Sequence, residues 1–371
     1  MPDAVEYSVA WRGGPGLAVI MHIERADLAD AGTIRNCFEV FLAARQMDEP
    51  DGPPFTERPF RGWLSVGWGG DPREVWVVPG PADGQVAGWY RLELPDLENR
   101  DQGGLDLVVH PAQRRRGLGR ALLRHAAAQA AEHGRSALNG AARHGGDGEA
   151  FARSVGAEPG LVDVQRVMDI RAVSGERLAR LRETAEQAAA GYSLVSWTGP
   201  VPEDFLDQAA ALFAALNDAP HDPHIAPAAW DAQRVRERVN GLRPHYGLRT
   251  YAVAAVREDG DPAAITEVAV DPADPGWGHQ MVTGVTRQHR GHRLGLLVKT
   301  AMVEWLRAAE PAVERIQTWN AESNRFMIAV NEALGYTILG QPASWWRLDV
   351  PAVLAEPTLT GRARDSRGPT A

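Results

Sequence analysis

Cysteine is nearly absent from this 371-residue chain. Cys37 is the only one, so neither an internal disulfide nor a thiolate metal cluster can form, and a reducing cytoplasm fits. Basic charge is also short: 39 Lys and Arg stand against 48 Asp and Glu, a net charge of −9. That balance lacks the cationic footprint of a dedicated nucleic-acid binder. No apolar run reaches the roughly 18 residues of a membrane span, and the first 20 residues lack the basic start and apolar core of a signal peptide. Two common phosphate loops are missing as well. There is no Gly-x-x-x-x-Gly-Lys-Ser/Thr, and no Gly-x-Gly-x-x-Gly follows the first strand-like run of either half.

What is present describes a folded chain of two domains, with 44% hydrophobic and 23% charged residues. The 12 tryptophans, several beside glycine, read as core or lining anchors. Residues 1–18 read as a loose leader and 351–371 as a disordered tail. Ser174 caps an expected helix that ends at Gly191, so 173–191 reads as a linker between domains at 19–172 and 192–350.

The two halves repeat one pattern. In the first, Glu74–Val78 and Gln85–Leu94 read as a hairpin leading to the apolar strand Leu105–His110, then Gln113-Arg-Arg-Arg-Gly-Leu-Gly119 and an Ala/Leu-rich helix. In the second, Thr250–Val256 and Ala264–Val270 lead to Met281–Thr286, then His289-Arg-Gly-His-Arg-Leu-Gly295 and another helix. Aligning Gly119 with Gly295 gives an offset of 295 − 119 = 176, which also pairs Val109 with Val285 and Arg114 with Arg290. A mixed sheet with helices on both faces follows for each half.

A strand that passes through Arg-x-x-Gly-x-Gly into a helix presents free backbone N–H groups at the positive end of the helix. Its glycines let an anion approach closely, and a pyrophosphate is the natural ligand. One such turn recurs by chance, whereas two at matched positions do not read as coincidence.

At Leu107-Val-Val-His-Pro-Ala-Gln-Arg-Arg-Arg-Gly-Leu-Gly-Arg-Ala121 the sequence resembles the acyl-CoA pyrophosphate motif of the GNAT family of N-acetyltransferases. The second half adds Trp319-Asn320-Ala-Glu-Ser-Asn324 and Ala329-Val-Asn-Glu-Ala-Leu-Gly-Tyr336, which resemble the family's later strand and helix. The resemblance covers about residues 19–172 and 192–350. It implies an α/β fold of two tandem GNAT-like domains, each a mixed, mostly antiparallel sheet flanked by helices.

It further implies acetyl-CoA as cosubstrate, lying between two splayed strands. In the first half it would be held by Leu107, Val108, Val109, Arg114, Arg115, Arg116, Gly117, Leu118, Gly119 and Arg120. In the second the residues would be Val285, Arg290, Gly291, His292, Arg293, Leu294, Gly295, Asn320 and Asn324, the last matching a cofactor-side asparagine. Arg293 departs from the pattern where the first half has Gly117. Asn331 and Ala152 stand where many relatives carry a Tyr that protonates the leaving thiolate.

An amine acceptor must lose its proton before attack, so late-strand carboxylates are the candidate bases: Glu93 and Glu267. His221 and His224 lack further evident metal ligands, and no metal is expected. Their loop is the better candidate for bordering the acceptor. Asp96, Glu98 and Asp101 form an acidic cluster able to meet a cationic amine. The reading is a cytoplasmic N-acetyltransferase acting by direct attack on a small amine. A protein or peptide acceptor, or a non-catalytic acyl-CoA binding role, is the alternative.

Overall fold

The computed structural model describes residues 9–12, 18–82 and 84–355. Strands β1 (Val9–Arg12) and β2 (Ala18–Met21) form a separate antiparallel pair, so part of the expected loose leader is ordered as a hairpin; its other residues, apart from Ala18, lie outside the described residues. The first half continues with β3 (Glu24–Arg25), α1 (Ala31–Asp48), α2 (Glu57–Val66), β4 (Arg73–Pro79), β5 (Val86–Glu93) and β6 (Gln102–Val109). It then runs through α3 (Leu118–Glu132), β7 (Ala137–Arg143), α4 (Asp147–Ser154) and β8 (Glu158–Asp169).

After α5 (Gly175–Ala188) the second half repeats the plan. It has β9 (Tyr192–Thr198), α6 (Leu206–Ala214), the short α7 (Ala232–Arg234) and α8 (Arg243–Tyr246), then β10 (Arg249–Arg257), β11 (Pro262–Asp271) and β12 (Asp274–Val285). It closes with α9 (Leu294–Ala309), β13 (Arg315–Ala321), α10 (Arg325–Leu334), β14 (Thr337–Ile338), β15 (Ala343–Asp349) and α11 (Val350–Ala355). Strand positions follow the apolar runs: Ala87–Leu92 in β5 and Ala263–Asp271 in β11 are buried on both faces, as central strands covered by helices must be.

One continuous sheet joins the halves in the order β3-β4-β5-β6-β7-β15-β8-β13-β12-β11-β10-β9, with β14 paired to β8 off this path. The order shows a reciprocal exchange. β15, the last strand of the second half, pairs along its whole length with β7 of the first, from Ala343↔Arg143 to Asp349↔Ala137. β8, the last strand of the first half, pairs with β13 of the second from Asp163↔Ala321 to Asp169↔Arg315.

The expected domain boundaries need correction accordingly. Residues 163–169 complete the second half's sheet, and 343–349 complete the first's. A lone half would leave an edge of β7 or β13 with unpaired backbone groups, and the exchange satisfies both.

The expected linker also changes character. α5 is capped by Ser174 as read from sequence, and it buries Leu178 and Ala185 in the second half's core beside α9. The expected tail begins later than 351, because α11 places Val350 and Val353 against α3. Residues 356–371 lie outside the described residues.

Each half is a sheet between two helical layers. In the first, α1 and α2 cover one face around Ile34, Phe60, Leu64 and Trp89, while α3 and α11 cover the other around Tyr90, Leu122 and Ala126. In the second, α6 covers one face, and α5 and α9 cover the other. The halves also meet through side chains. Arg234 bonds Glu98, Arg238 bonds Asp96, and Trp68 stacks on Tyr246 at 4.5 Å. The acidic residues Asp96 and Glu98 are therefore ion-paired across the junction, because the α7–α8 segment folds over that loop.

Candidate functional site

The two turns after β6 and β12 share one backbone shape. Arg115 and Gly117 have positive φ (63° and 85°), and so do Gly291 and Arg293 (91° and 52°), at the same offset of 176. Left-handed residues interleaved with ordinary ones turn successive N–H groups toward one point, which forms an anion-binding concavity at the start of α3 and of α9. Arg293 adopts the conformation that Gly117 takes in the first half, so the departure noted in sequence leaves the turn intact at the cost of a strained non-glycine residue.

Beside each turn the sheet opens. β6 and β7 run parallel and pair only at Gln102↔Ala137, Gly103↔Leu138 and Gly104↔Asn139. Where they part, a side chain at Gly140 would place its Cβ 2.8 Å from the Leu105 carbonyl oxygen, so glycine is needed there. β12 and β13 likewise pair only at Trp277↔Arg315, Gly278↔Ile316 and His279↔Gln317 before separating.

A cavity of about 750 Å³ fills the first opening, between β6, the turn, α3, α4 and α1. Nine of the ten residues expected to hold a cofactor there line it: Leu107, Val108, Val109, Arg114, Arg115, Gly117, Leu118, Gly119 and Arg120. Arg116 does not, and bonds Gln113 instead. Arg114 is braced by both oxygens of Asp48 (2.8 and 2.6 Å) and by Asp147, and the Asp48 hydrogen bond raises its pKa further.

The inner end of this cavity is lined by residues that sequence reasoning missed, among them Phe41, Trp63, Glu49 and Asp106. Arg91 donates to Asp106 through Nε (3.0 Å) and Nη2 (2.6 Å), both bonds ending on Oδ2. Oδ1 accepts no bond from the described residues, and the side chain is 40% exposed. Glu49 is held at both oxygens, by Arg143 and Arg45. Burial pushes its carboxyl up, but the Arg143 bond and the two arginine charges outweigh that and leave it below the usual range.

Arg143 links this end to the other half. It lies over the Trp319 ring at 4.8 Å and donates to Gln165; Gln165 donates to Gln317, and Gln317 to His279. The signal for Asp106 was a charged residue inside the apolar run Leu105–Val109, whose alternation turns it to the α1–α2 face.

The expected bases fare differently. Glu93 lies on β5 opposite Gly104, beside Arg91 at 3.3 Å, and is not among the cavity's lining residues. Glu267 is buried, with its two oxygens bound by Arg243 Nη1 and Nη2 at 3.2 and 2.6 Å.

In the second half, Val285 ends β12 and Leu294 and Gly295 open α9. Arg290 pairs with Asp218, and His292 meets the Ala188 carbonyl. Asn324 caps α10 by accepting from the Met327 N–H, and Asn320 bonds Asn331. Cys37 is fully buried, and burial pushes its thiol up to about 12, which removes it as a nucleophile at neutral pH. The loop of His221 and His224 packs against the start of β6 through the Gln102–His224 bond. Among the described residues no group of three metal-binding side chains occurs, and no helix is long and apolar enough to cross a membrane.

Two parted-strand clefts, each ending on an anion-binding helix start, thus repeat in tandem along the chain. Residues 35–144 match the sequence model described as the Acetyltransferase (GNAT) family. A tandem GNAT protein from the clavulanic acid biosynthesis pathway superposes with a TM-score of 0.73 at 28% identity, covering 89% of this chain and 98% of that one. Mycothiol acetyltransferases of Mycolicibacterium paratuberculosis and Salinispora arenicola are 27% and 26% identical. They cover 70% and 69% of this chain and 78% and 76% of their own length. A GCN5-related N-acetyltransferase from Sphaerobacter thermophilus shares the fold at 18% identity and a TM-score of 0.61. The chain thus carries a GNAT-family match in its first half and resembles a tandem GNAT protein in fold over most of its length.

Proposed function

We propose that the chain is an acetyl-CoA-dependent N-acetyltransferase for a small amine, working in a reducing compartment, with the first cleft as its acetyl-CoA site. The cavity that carries this reading joins a phosphate-binding turn at one end to an open strand edge and a carboxylate at the other. The N–H groups of the Arg114–Gly119 turn fit a pyrophosphate, and Arg115 and Arg120 add charge. The β6 backbone beyond Gly104 is not paired with β7, which leaves an edge for the amide groups of a pantetheine arm. Acetyl-CoA supplies the acetyl thioester when bound.

The acceptor end is the chain's own work. An amine with pKa near 10 reaches the site protonated at neutral pH, so a carboxylate there both attracts it and orients it as the proton passes to water. Asp106 fits this role better than Glu93 or Glu267, since its Oδ1 is open to the cleft while Arg91 fixes Oδ2. Phe41 and Trp63 offer an apolar wall for the body of the acceptor. The relatives named mycothiol acetyltransferase support an acceptor of small-molecule size.

The test is thiol release from acetyl-CoA across a panel of small amines. No release above buffer with any amine sinks the reading, and binding of coenzyme A without turnover leaves an acyl-CoA binding protein. Given turnover, Asp106→Asn should raise the amine KM at least about 10-fold while the affinity for acetyl-CoA stays within twofold. Parent-like amine KM in that variant removes Asp106 from the acceptor site.

A further inference from the structure

Lys299 is the only lysine in the sequence; the other 38 of the 39 Lys and Arg are arginine. It sits in the middle of α9, 3% exposed, with no carboxylate partner among the described residues. Its ammonium donates one hydrogen bond, to Asn331 Oδ1 at 2.7 Å, and lies 4.7 Å from the centre of the Tyr336 ring. Asn331, fully buried, passes the contact on: its Nδ2 donates to Asn320 Oδ1 at 2.7 Å. Asn320 lies three residues past the last β12–β13 pair, on the strand parity that faces α9 together with Ile316 and Thr318. Its own amide hydrogens reach no acceptor among the described residues. The ladder therefore runs from a buried cation to a free donor at the wall of the second cleft.

The first half has Leu123, Ala152 and Ala142 at the corresponding positions, all apolar. A second difference lies on the facing strand. β11 and β12 shift register between Glu267↔Val282 and Val268↔Gln280, so Met281 is an extra residue without a ladder partner, whereas β5 and β6 pair without a break. Bulges of this kind re-aim backbone groups beside active sites. A buried lysine without a counter-charge is costly, and burial alone holds its pKa down at about 7. Apolar packing like that of the first half would avoid the cost.

We propose that the second cleft is also an acyl-transfer site, in which Lys299, acting through Asn331, positions and polarises Asn320 as the donor to the departing sulfur. This rests on the acetyl-transfer reading above. The acceptor nitrogen bonds the acetyl carbon, the carbon–sulfur bond breaks with its electron pair on sulfur, and the amine proton leaves to water. The Asn320 amide holds the thiolate until water protonates it. Lys299 is a positioning residue here and transfers no proton; the ladder stands where a phenol is missing. Lysine suits the place because its ammonium is a compact point charge that fits one amide oxygen, whereas a guanidinium needs a wide fork of acceptors.

The test isolates the second cleft with Gly119→Glu, which sets a carboxylate in the first anion site. That variant should lose the first cleft's share of turnover and retain the second's, and adding Lys299→Met should lower the remaining kcat at least about 10-fold with the acetyl-CoA KM within twofold. The same substitution removes a buried charge, so Tm should rise while rate falls, an opposition that a merely structural role would not produce. In chain labelled with carbon-13 at its one lysine, coenzyme A should shift that resonance in Gly119→Glu and leave it unmoved in Gly295→Glu.

If Gly119→Glu is inactive while the parent works, the proposal falls and the acetyl-transfer reading stands. The proposal also falls if Lys299→Met leaves kcat unchanged, or lowers kcat and Tm together. A parent silent with every amine removes both.

Discussion

The two anion-binding turns reach one backbone shape from opposite residue orders. The first half places arginine then glycine at its left-handed positions, and the second places glycine then arginine. What differs lies downstream. The first half offers a cavity of about 750 Å³ whose phosphate end is braced by Asp48 and Asp147, with apolar residues along α3, β7 and α4. The second has Phe326, 91% exposed, on the first turn of α10, where the first half has Asp147 at the same place on α4. It also carries a buried polar ladder and a bulge that the first lacks. Backbone geometry at the turn thus tolerates exchange of side chains, while the chemistry beside it has diverged.

The comparison breaks most sharply at the turns themselves. Gly119→Glu and Gly295→Glu each put a carboxylate where a pyrophosphate would sit, so each should lose one coenzyme A site by calorimetry, with affinity at that site down at least about 100-fold. Gly295 has more room, since its added Cβ would sit 3.6 Å from Val285, whereas at Gly119 it would meet Phe151 at 3.2 Å. Equal and unchanged stoichiometry in both variants would end the idea that these turns hold phosphate.

A smaller effect separates the two glutamates. Glu267 and Arg243 form a buried bidentate pair, so Glu267→Ala strands the guanidinium and should cost about 3–5 kcal/mol in urea unfolding. Glu93→Ala, beside a partner that keeps Asp106, should cost under about 1 kcal/mol. Similar losses in the two would show that the pairs are equally buried in solution.

The smallest effect concerns pH. Burial lowers the Lys299 pKa from 10.5 to about 7, so the unfolded chain binds the extra proton between those values. Stability from this group should therefore rise with pH above 7, by about 2 kcal/mol by pH 9, and stay flat below 7. Lys299→Met should lack that slope in urea titrations at pH 7 and 9. A parallel slope in both would place the charge in water.

Sequence carried the fold class far because its signals were local. Apolar runs marked β5, β6, β10 and β11, Ser174 marked the start of α5, and the matched Arg-Arg-Arg-Gly-Leu-Gly and Arg-Gly-His-Arg-Leu-Gly runs marked two helix starts. The strand exchange left no such trace, since β8 and β15 have ordinary strand patterns and partner choice depends on which edge is free. The site divided in the same way. The turn residues were legible from spacing, whereas Asp106 stood unremarked inside an apolar strand run, and Glu93 drew notice only for its late place in its strand. Lys299 had a signal that could have been used: a single cation within the apolar stretch Leu296–Val303 of a buried helix.

The crossing of β8 and β15 makes each half the other's missing piece. A chain cut between Ala189 and Tyr192 would yield two fragments, the first holding a strand that the second needs and the second holding β15 and α11 that the first needs. Each alone would expose a raw sheet edge and tend to aggregate, while together they would clasp without a covalent link. Reassembly of the two pieces should then be read out by the return of both clefts at once.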